Sequence, residues 1–210
     1  MRERAARLAV WSGIVLVLAV VVAWGAWSLT GAPAPRTALQ QRGDYGAVPD
    51  FSLSERSGRT VTSRDLAGHF WVADFVFTRC TGVCPLLTAR MSSLVHALRS
   101  ERDLRFVSFS VDPEYDTPEV LSRYAAAQGA NDERWLFVTG RHEALYRLIG
   151  EGFKLSVASQ EPGQPQAGEL ITHSDRFVLV DPQGRIRGYY HGDDEETIGR
   201  LADDLAALRH

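Results

Sequence analysis

Phe70-Trp71-Val72-Ala73-Asp74-Phe75-Val76-Phe77-Thr78-Arg79-Cys80-Thr81-Gly82-Val83-Cys84-Pro85 is the stretch from which the fold can be read. Residues 70–77 are apolar except for Asp74, and a run of this length fits a strand covered on both faces. Pro85 suits the first turn of a helix, where its missing N–H would have had no partner. Cys80 and Cys84, the only two cysteines of the chain, therefore fall on the turn that carries a strand into a helix. Residues four apart near a helix start face the same way, with β-carbons about 5–6 Å apart. That spacing can close a disulfide or hold one soft metal ion. Helix N–H groups beside the pair predict thiols shifted toward the thiolate.

Working outward, Leu87, Met91, Leu94, Val95 and Leu98 form a helical stripe over 86–99, and Leu104 to Val111 reads as a second strand. The loop 112–118 follows; Asp112 and Asp116 read either as support for a site or a partner-docking loop, or, with fewer assumptions, as helix entry with Asp116 and Thr117 as caps and Pro118 in the first turn. That helix should stop at Gly129. Trp135 to Val138 reads as a third strand, Arg141 to Ile149 as a helix, and Phe153 to Val157 as a short strand-like piece. Residues 158–169 hold Pro162, Gly163, Pro165 and Gly168 and form a loop. Asp175 to Val180 and Arg185 to Tyr190 flank the turn 181–184 as a hairpin, and Asp194 to Leu208 is a closing helix. Upstream, Phe51 to Leu53 and Thr60 to Thr62 form a small hairpin, with a helical turn at 63–68. Strands that alternate with helices and end on a hairpin predict an α/β fold with a mixed central sheet flanked by helices.

The N-terminus is of another kind. No charged residue occurs between Leu8 and Pro35, and 8–29 is almost wholly apolar, about long enough to span a bilayer as one transmembrane helix. Arg2, Arg4 and Arg7 precede it, so residues 1–7 are expected in the cytoplasm and the rest across the membrane. Residues 30–48, rich in Gly, Ala and Pro, read as a linker, leaving 49–210 as the exported domain. A cleavable signal peptide is the rival reading, but the run is long and Pro35 follows the best small-residue site. With 45% hydrophobic and 23% charged residues and a net charge of −3, the body is mildly acidic, which argues against nucleic acid as a partner. Two cysteines are too few for a disulfide scaffold.

A metal would need a third ligand. His69, His96 and His142 fall on a turn, a helix and a helix start, where surface or packing roles suffice. His210 is terminal, and His191 follows the second hairpin strand with no spacing that requires it. His173 ends the 158–172 loop before a strand expected near the sheet centre. It reads equally well as a site residue or as a capped surface histidine.

Pro49-Asp50-Phe51, Asp65-Leu66-Ala67-Gly68, Phe77-Thr78-x-Cys80-x3-Cys84-Pro85, Ser110-Val111-Asp112-Pro113-Glu114-x-Asp116-Thr117-Pro118, and His173 before a strand ending Asp181-Pro-x-Gly184 together resemble the Sco/SenC family over about residues 45–208. The resemblance implies a thioredoxin-like fold and a bacterial inner-membrane protein with its C-terminal domain in the periplasm. It also implies one copper ion, Cu(I) or Cu(II), bound by Cys80, Cys84 and His173. It further implies a metal chaperone that delivers copper to the dinuclear copper site of cytochrome c oxidase. Its partners would be the subunit bearing that site and a copper-donating chaperone or thiol reductant. Two positions depart from the common family pattern: Thr81-Gly82-Val83 stands where many members have Pro-Asp, and Thr172 where many have Asp.

The alternative is an enzyme, a thiol–disulfide oxidoreductase in which Cys80 and Cys84 form a redox-active disulfide. That class usually has two residues between its cysteines and a Pro before the facing strand; here there are three residues, and Thr172-His173 takes the place of the Pro. A peroxiredoxin-like peroxidase is a third, weaker match.

Overall fold

The computed structural model describes residues 43–155, 175–194 and 196–209. The apolar run 8–29, most of the 30–48 segment, the 158–169 loop and His173 lie outside the described residues. Among the described residues no helix is long and apolar enough to cross a membrane.

Seven strands form one sheet: β1 (Ser52–Glu55), β2 (Thr60–Thr62), β3 (Trp71–Val76), β4 (Arg105–Ser110), β5 (Trp135–Thr139), β6 (Arg176–Val180) and β7 (Ile186–His191). Their order across the sheet is β2-β1-β5-β4-β3-β6-β7. β3, β4 and β5 are parallel, while β6 runs antiparallel to β3 and β1 to β5, so the sheet is mixed as expected. β3 sits inside the sheet and every residue of it is buried, which explains why its sequence is a continuous apolar run rather than an alternation. β1 and β2 are the expected N-terminal hairpin. Tyr45 and Val48, at the end of the 30–48 segment, already donate backbone hydrogen bonds to Ile186 and Gly184.

The sheet separates two cores. On one face Val72, Phe106, Phe137, Phe177 and Leu179 meet Leu87, Met91 and Leu94 of α2 (Cys84–Ala97), Leu121 and Ala125 of α3 (Pro118–Ala127), and Leu201 and Leu205 of α5 (Thr197–Leu208). On the other face Trp71, Phe75, Phe109, Val138 and Val178 meet Leu66 of α1 (Ser63–Leu66), Leu145 of α4 (His142–Arg147), and Leu148, Ile149 and Phe153.

Three expectations fail here for physical reasons. The helix read over 141–149 ends as α-helix at Arg147 and continues as a π-turn, Leu148–Gly152. Phe153 to Leu155, read as strand-like, are not strand. Their alternation of apolar residues arises because Phe153 leaves the widened turn and inserts into a ring cluster, 5.0 Å from Phe75 and 5.3 Å from Phe109. Gly152 allows this, since a β-carbon there would lie 2.7 Å from Pro49. The closing helix also starts later than Asp194. Asp194 instead accepts from the Glu196 N–H at 2.9 Å in a turn ahead of Thr197.

Candidate functional site

β3 ends at Val76, and the chain turns through Phe77 to Val83 before α2 begins at Cys84. Pro85 lies within the first turn as expected, and no side chain caps that helix start. The Cys80 sulfur stands in part for a cap, accepting from the Cys84 N–H at 3.5 Å. Both cysteines are free thiols; Cys80 is half-buried and Cys84 buried. The helix N-terminus does not dominate at Cys84. Burial pushes its thiol up to about 12, with the Cys80 sulfur and the Asp74 carboxylate pushing the same way and a hydrogen bond with the Phe77 backbone opposing them. The expectation of a lowered pKa therefore fails for Cys84, because desolvation of a thiolate outweighs the dipole of one helix start.

The 112–118 loop leaves the carboxyl end of β4, beside β3, and closes on the cysteine turn as the parallel pairing requires. Asp116 makes the junction. Its carboxylate accepts from the Thr78 N–H at 3.2 Å, the Thr78 hydroxyl at 2.5 Å and the Ser110 hydroxyl at 2.7 Å. It is fully buried, and burial raises its pKa against the pull of those hydrogen bonds. Asp116 is thus not a helix cap. Thr117 alone fills that role, accepting from the Val120 N–H. A second clamp lies outside it. The Arg79 guanidinium bonds Asp112 Oδ2 and lies 4.3 Å from the Tyr115 ring centroid. Neither clamp could be read from sequence, because each joins residues more than thirty positions apart; the one available signal was that both halves sit at carboxyl ends of adjacent parallel strands.

Beneath the pair, Asp74 is completely buried, and neither of its oxygens has a partner at hydrogen-bonding geometry. Burial pushes its carboxyl up to about 7, against a weaker downward pull from the side chain of Ser108, its register partner on β4, and from its own backbone N–H. Tyr124, bonded to the Thr88 hydroxyl at 2.7 Å, is pushed up to about 12 by burial.

Of the candidate ligands, Cys80 and Cys84 are brought together and His173 lies outside the described residues. His69 bonds the Asp103 carbonyl and His142 stacks on Tyr146, so both have the local roles expected of them. His96 lies beside Arg99 on the exposed side of α2. His191 ends β7 at the same end of the sheet as the cysteine turn, 2.7 Å from Asp175. Two sulfur donors four residues apart, one of them reachable from solvent, suit a soft or borderline ion, and copper fits that donor set.

A mixed sheet with helices on both faces and two thiols at the start of a helix that leaves an inner parallel strand defines a thiol-pair protein of thioredoxin-like fold. The SCO1/SenC family pattern matches residues 39–209. The chain is 33% identical over 160 residues to the SCO1 protein homolog of Bacillus subtilis (strain 168), covering 75% of this chain and 80% of that protein. It is similar to the crystal structure of a SCO1/SenC family lipoprotein from Bacillus anthracis str. Ames, with 31% identity, a TM-score of 0.71, and coverage of 80% of this chain and 99% of that one. BsSco, described as a member of the Sco family of cytochrome c oxidase assembly proteins and as carrying a disulfide switch, is 32% identical, with a TM-score of 0.67 and coverage of 78% and 94%. The chain belongs to the SCO1/SenC family.

Proposed function

We propose that this chain is a membrane-anchored copper chaperone that holds one copper ion through Cys80, Cys84 and His173. It passes the ion to the dinuclear copper site of cytochrome c oxidase during assembly. The observation that carries this reading is the free thiol pair beyond the carboxyl end of β3, with the Cys84 N–H on the Cys80 sulfur. Two thiolates suit Cu(I), and an added imidazole suits Cu(II) as well. Copper must displace the proton from Cys84, whose thiol is held neutral by burial. Cys80, the more exposed sulfur, is the one an incoming donor or an acceptor protein meets first. Leu86, two residues after Cys84, and Tyr115, whose ring carries the guanidinium of Arg79 next to Cys80 in sequence, are exposed and offer a partner apolar surface. Residues 8–29 hold the domain at the inner membrane and place it in the periplasm, where its partners are the copper-bearing oxidase subunit and a copper donor or thiol reductant.

The test is titration of the full chain in detergent with Cu(I) and Cu(II), alongside Cys80→Ala, Cys84→Ala and His173→Ala. Each substitution should weaken copper binding at least tenfold; copper binding untouched by His173→Ala, together with fast disulfide turnover, would sink the copper reading. Membrane fractions should retain a protein that includes residues 1–34, and a periplasmic form lacking them would show a cleaved leader instead. A second reading, thiol–disulfide exchange by Cys80 and Cys84 on an exported protein, draws support from the disulfide switch described for BsSco.

A further inference from the structure

We infer that Asp175, His191 and Asp193 form a second metal site, separate from the cysteine pair, that takes a divalent borderline ion such as Cu(II) or Zn(II). These three residues each offer one ligand atom, and those atoms all lie within 4.8 Å of one another. His191 Nδ1 is 2.7 Å from Asp175 Oδ2 and 4.0 Å from Asp193 Oδ1. A tetrahedral ion with bonds of about 2.0 Å to nitrogen and oxygen holds its ligand atoms about 3.3 Å apart, and a square-planar one about 2.8 Å apart between neighbours. The shorter separation is at present a hydrogen bond, and the two together bracket the spacing that such an ion requires. The ion takes the place of the proton shared between His191 Nδ1 and Asp175 Oδ2.

The backbone holds this geometry in place. His191 and Asp193 flank Gly192, whose N–H donates to the Asp175 carbonyl at 2.5 Å. A β-carbon at Gly192 would lie 2.5 Å from Leu87 and 3.2 Å from Phe177, so the turn is seated against α2 and β6 with no room to slide. The His191 carbonyl in turn accepts from the Thr197 hydroxyl and the Asp194 N–H. Arg176 faces Asp175 Oδ1, which leaves Oδ2 turned to the imidazole. Arg200 is engaged by Asp194. Asp175 is half-buried while His191 and Asp193 are exposed, so the ion reaches the site from water and keeps open positions for water ligands.

The donor set names the ion class. One imidazole and two carboxylates, with no sulfur, favour Cu(II) or Zn(II) over Cu(I), and Cu(II) binds tightest of the divalent first-row ions at such a site. The site is chemically distinct from the thiol pair although it lies close by. Gly192 packs against Leu87, three residues beyond Cys84. A chain with both sites would carry Cu(II) on nitrogen and oxygen beside thiols suited to Cu(I).

The experiment uses the full chain in detergent and removes every proposed ligand of the first site by Cys80→Ala, Cys84→Ala and His173→Ala together. Equilibrium binding of Cu(II) to that background should still show one equivalent, with an electron paramagnetic resonance spectrum of nitrogen and oxygen ligation without sulfur. Adding His191→Asn, or separately the exposed and structurally milder Asp193→Asn, should lower its affinity at least tenfold, in line with the loss of one ligand or its support. Zn(II) should compete for the same equivalent. No bound equivalent in the triple variant, or one that both further substitutions leave unchanged, overturns the inference. Failure of the first site would appear separately, as Cu(I) binding to the original chain that Cys80→Ala does not weaken.

Discussion

Asp74 is a carboxyl group in the middle of a buried strand with no partner at hydrogen-bonding geometry, and its cost must show in the stability of the fold. Its pKa stands at about 7, against an ordinary value of 3.8. Between those values the folded chain keeps a proton that the unfolded chain has lost, so stability falls as pH rises through that window and levels off above it. At full effect the difference is on the order of 4 kcal/mol, since each pH unit between the two values contributes about 1.4 kcal/mol. Asp74→Asn removes the ionisable group. The variant should gain in urea midpoint over the parent chain at pH 8 relative to pH 4, and parallel pH profiles for the two chains would contradict this account. Asp74 could be read from sequence as the one polar residue in an apolar run. That it would lack partners could not, because its surroundings come from β4, α2 and α3.

At the scale of elements, the cysteine turn is fixed to the sheet by the loop after β4 rather than by its own sequence. Asp116 accepts from both the backbone and side chain of Thr78 and from Ser110. Truncating it leaves one buried and two half-buried donors unpaired, at about 1–3 kcal/mol for each unsatisfied group and less where water enters. Asp116→Ala should therefore destabilise the domain by roughly 3 kcal/mol and weaken copper binding, because the turn bearing Cys80 loses its anchor. Thr117→Ala removes only a helix cap and should cost about 1 kcal/mol with copper binding preserved. Chemical denaturation and copper titration of the two variants check the contrast; equal effects on copper binding would mean that Asp116 does not anchor the cysteine turn. The sequence placed Asp116 beside a helix start, and local capping was a sufficient explanation at that range. Its true partner sits thirty-eight residues away. The π-turn after Arg147 was hidden for a related reason: the apolar spacing of Leu148, Ile149 and Phe153 fits several windings, and the ring cluster that selects one of them is assembled from separate strands.

Across the whole molecule, the sheet was legible because its inner strands are short, mostly apolar runs and their crossover helices carry clear stripes. Strand order and the antiparallel pairing of β6 with β3 emerge only from the pairings themselves. Two of the three donors of the proposed metal site were equally plain, since Cys80-x3-Cys84-Pro85 fixes them at one helix start. The Asp175–His191–Asp193 group was not, because its members come from opposite strands of a hairpin and the turn beyond it, and meet only when β6 and β7 pair. The central claim is that one copper ion joins both thiols to an imidazole from His173. X-ray absorption at the copper edge of the full chain loaded with one equivalent of Cu(I) tests this most directly. The account predicts two sulfur neighbours and one nitrogen, with the nitrogen lost in His173→Ala and sulfur lost in Cys80→Ala or Cys84→Ala. A copper shell without sulfur, or one whose nitrogen survives His173→Ala, would contradict it.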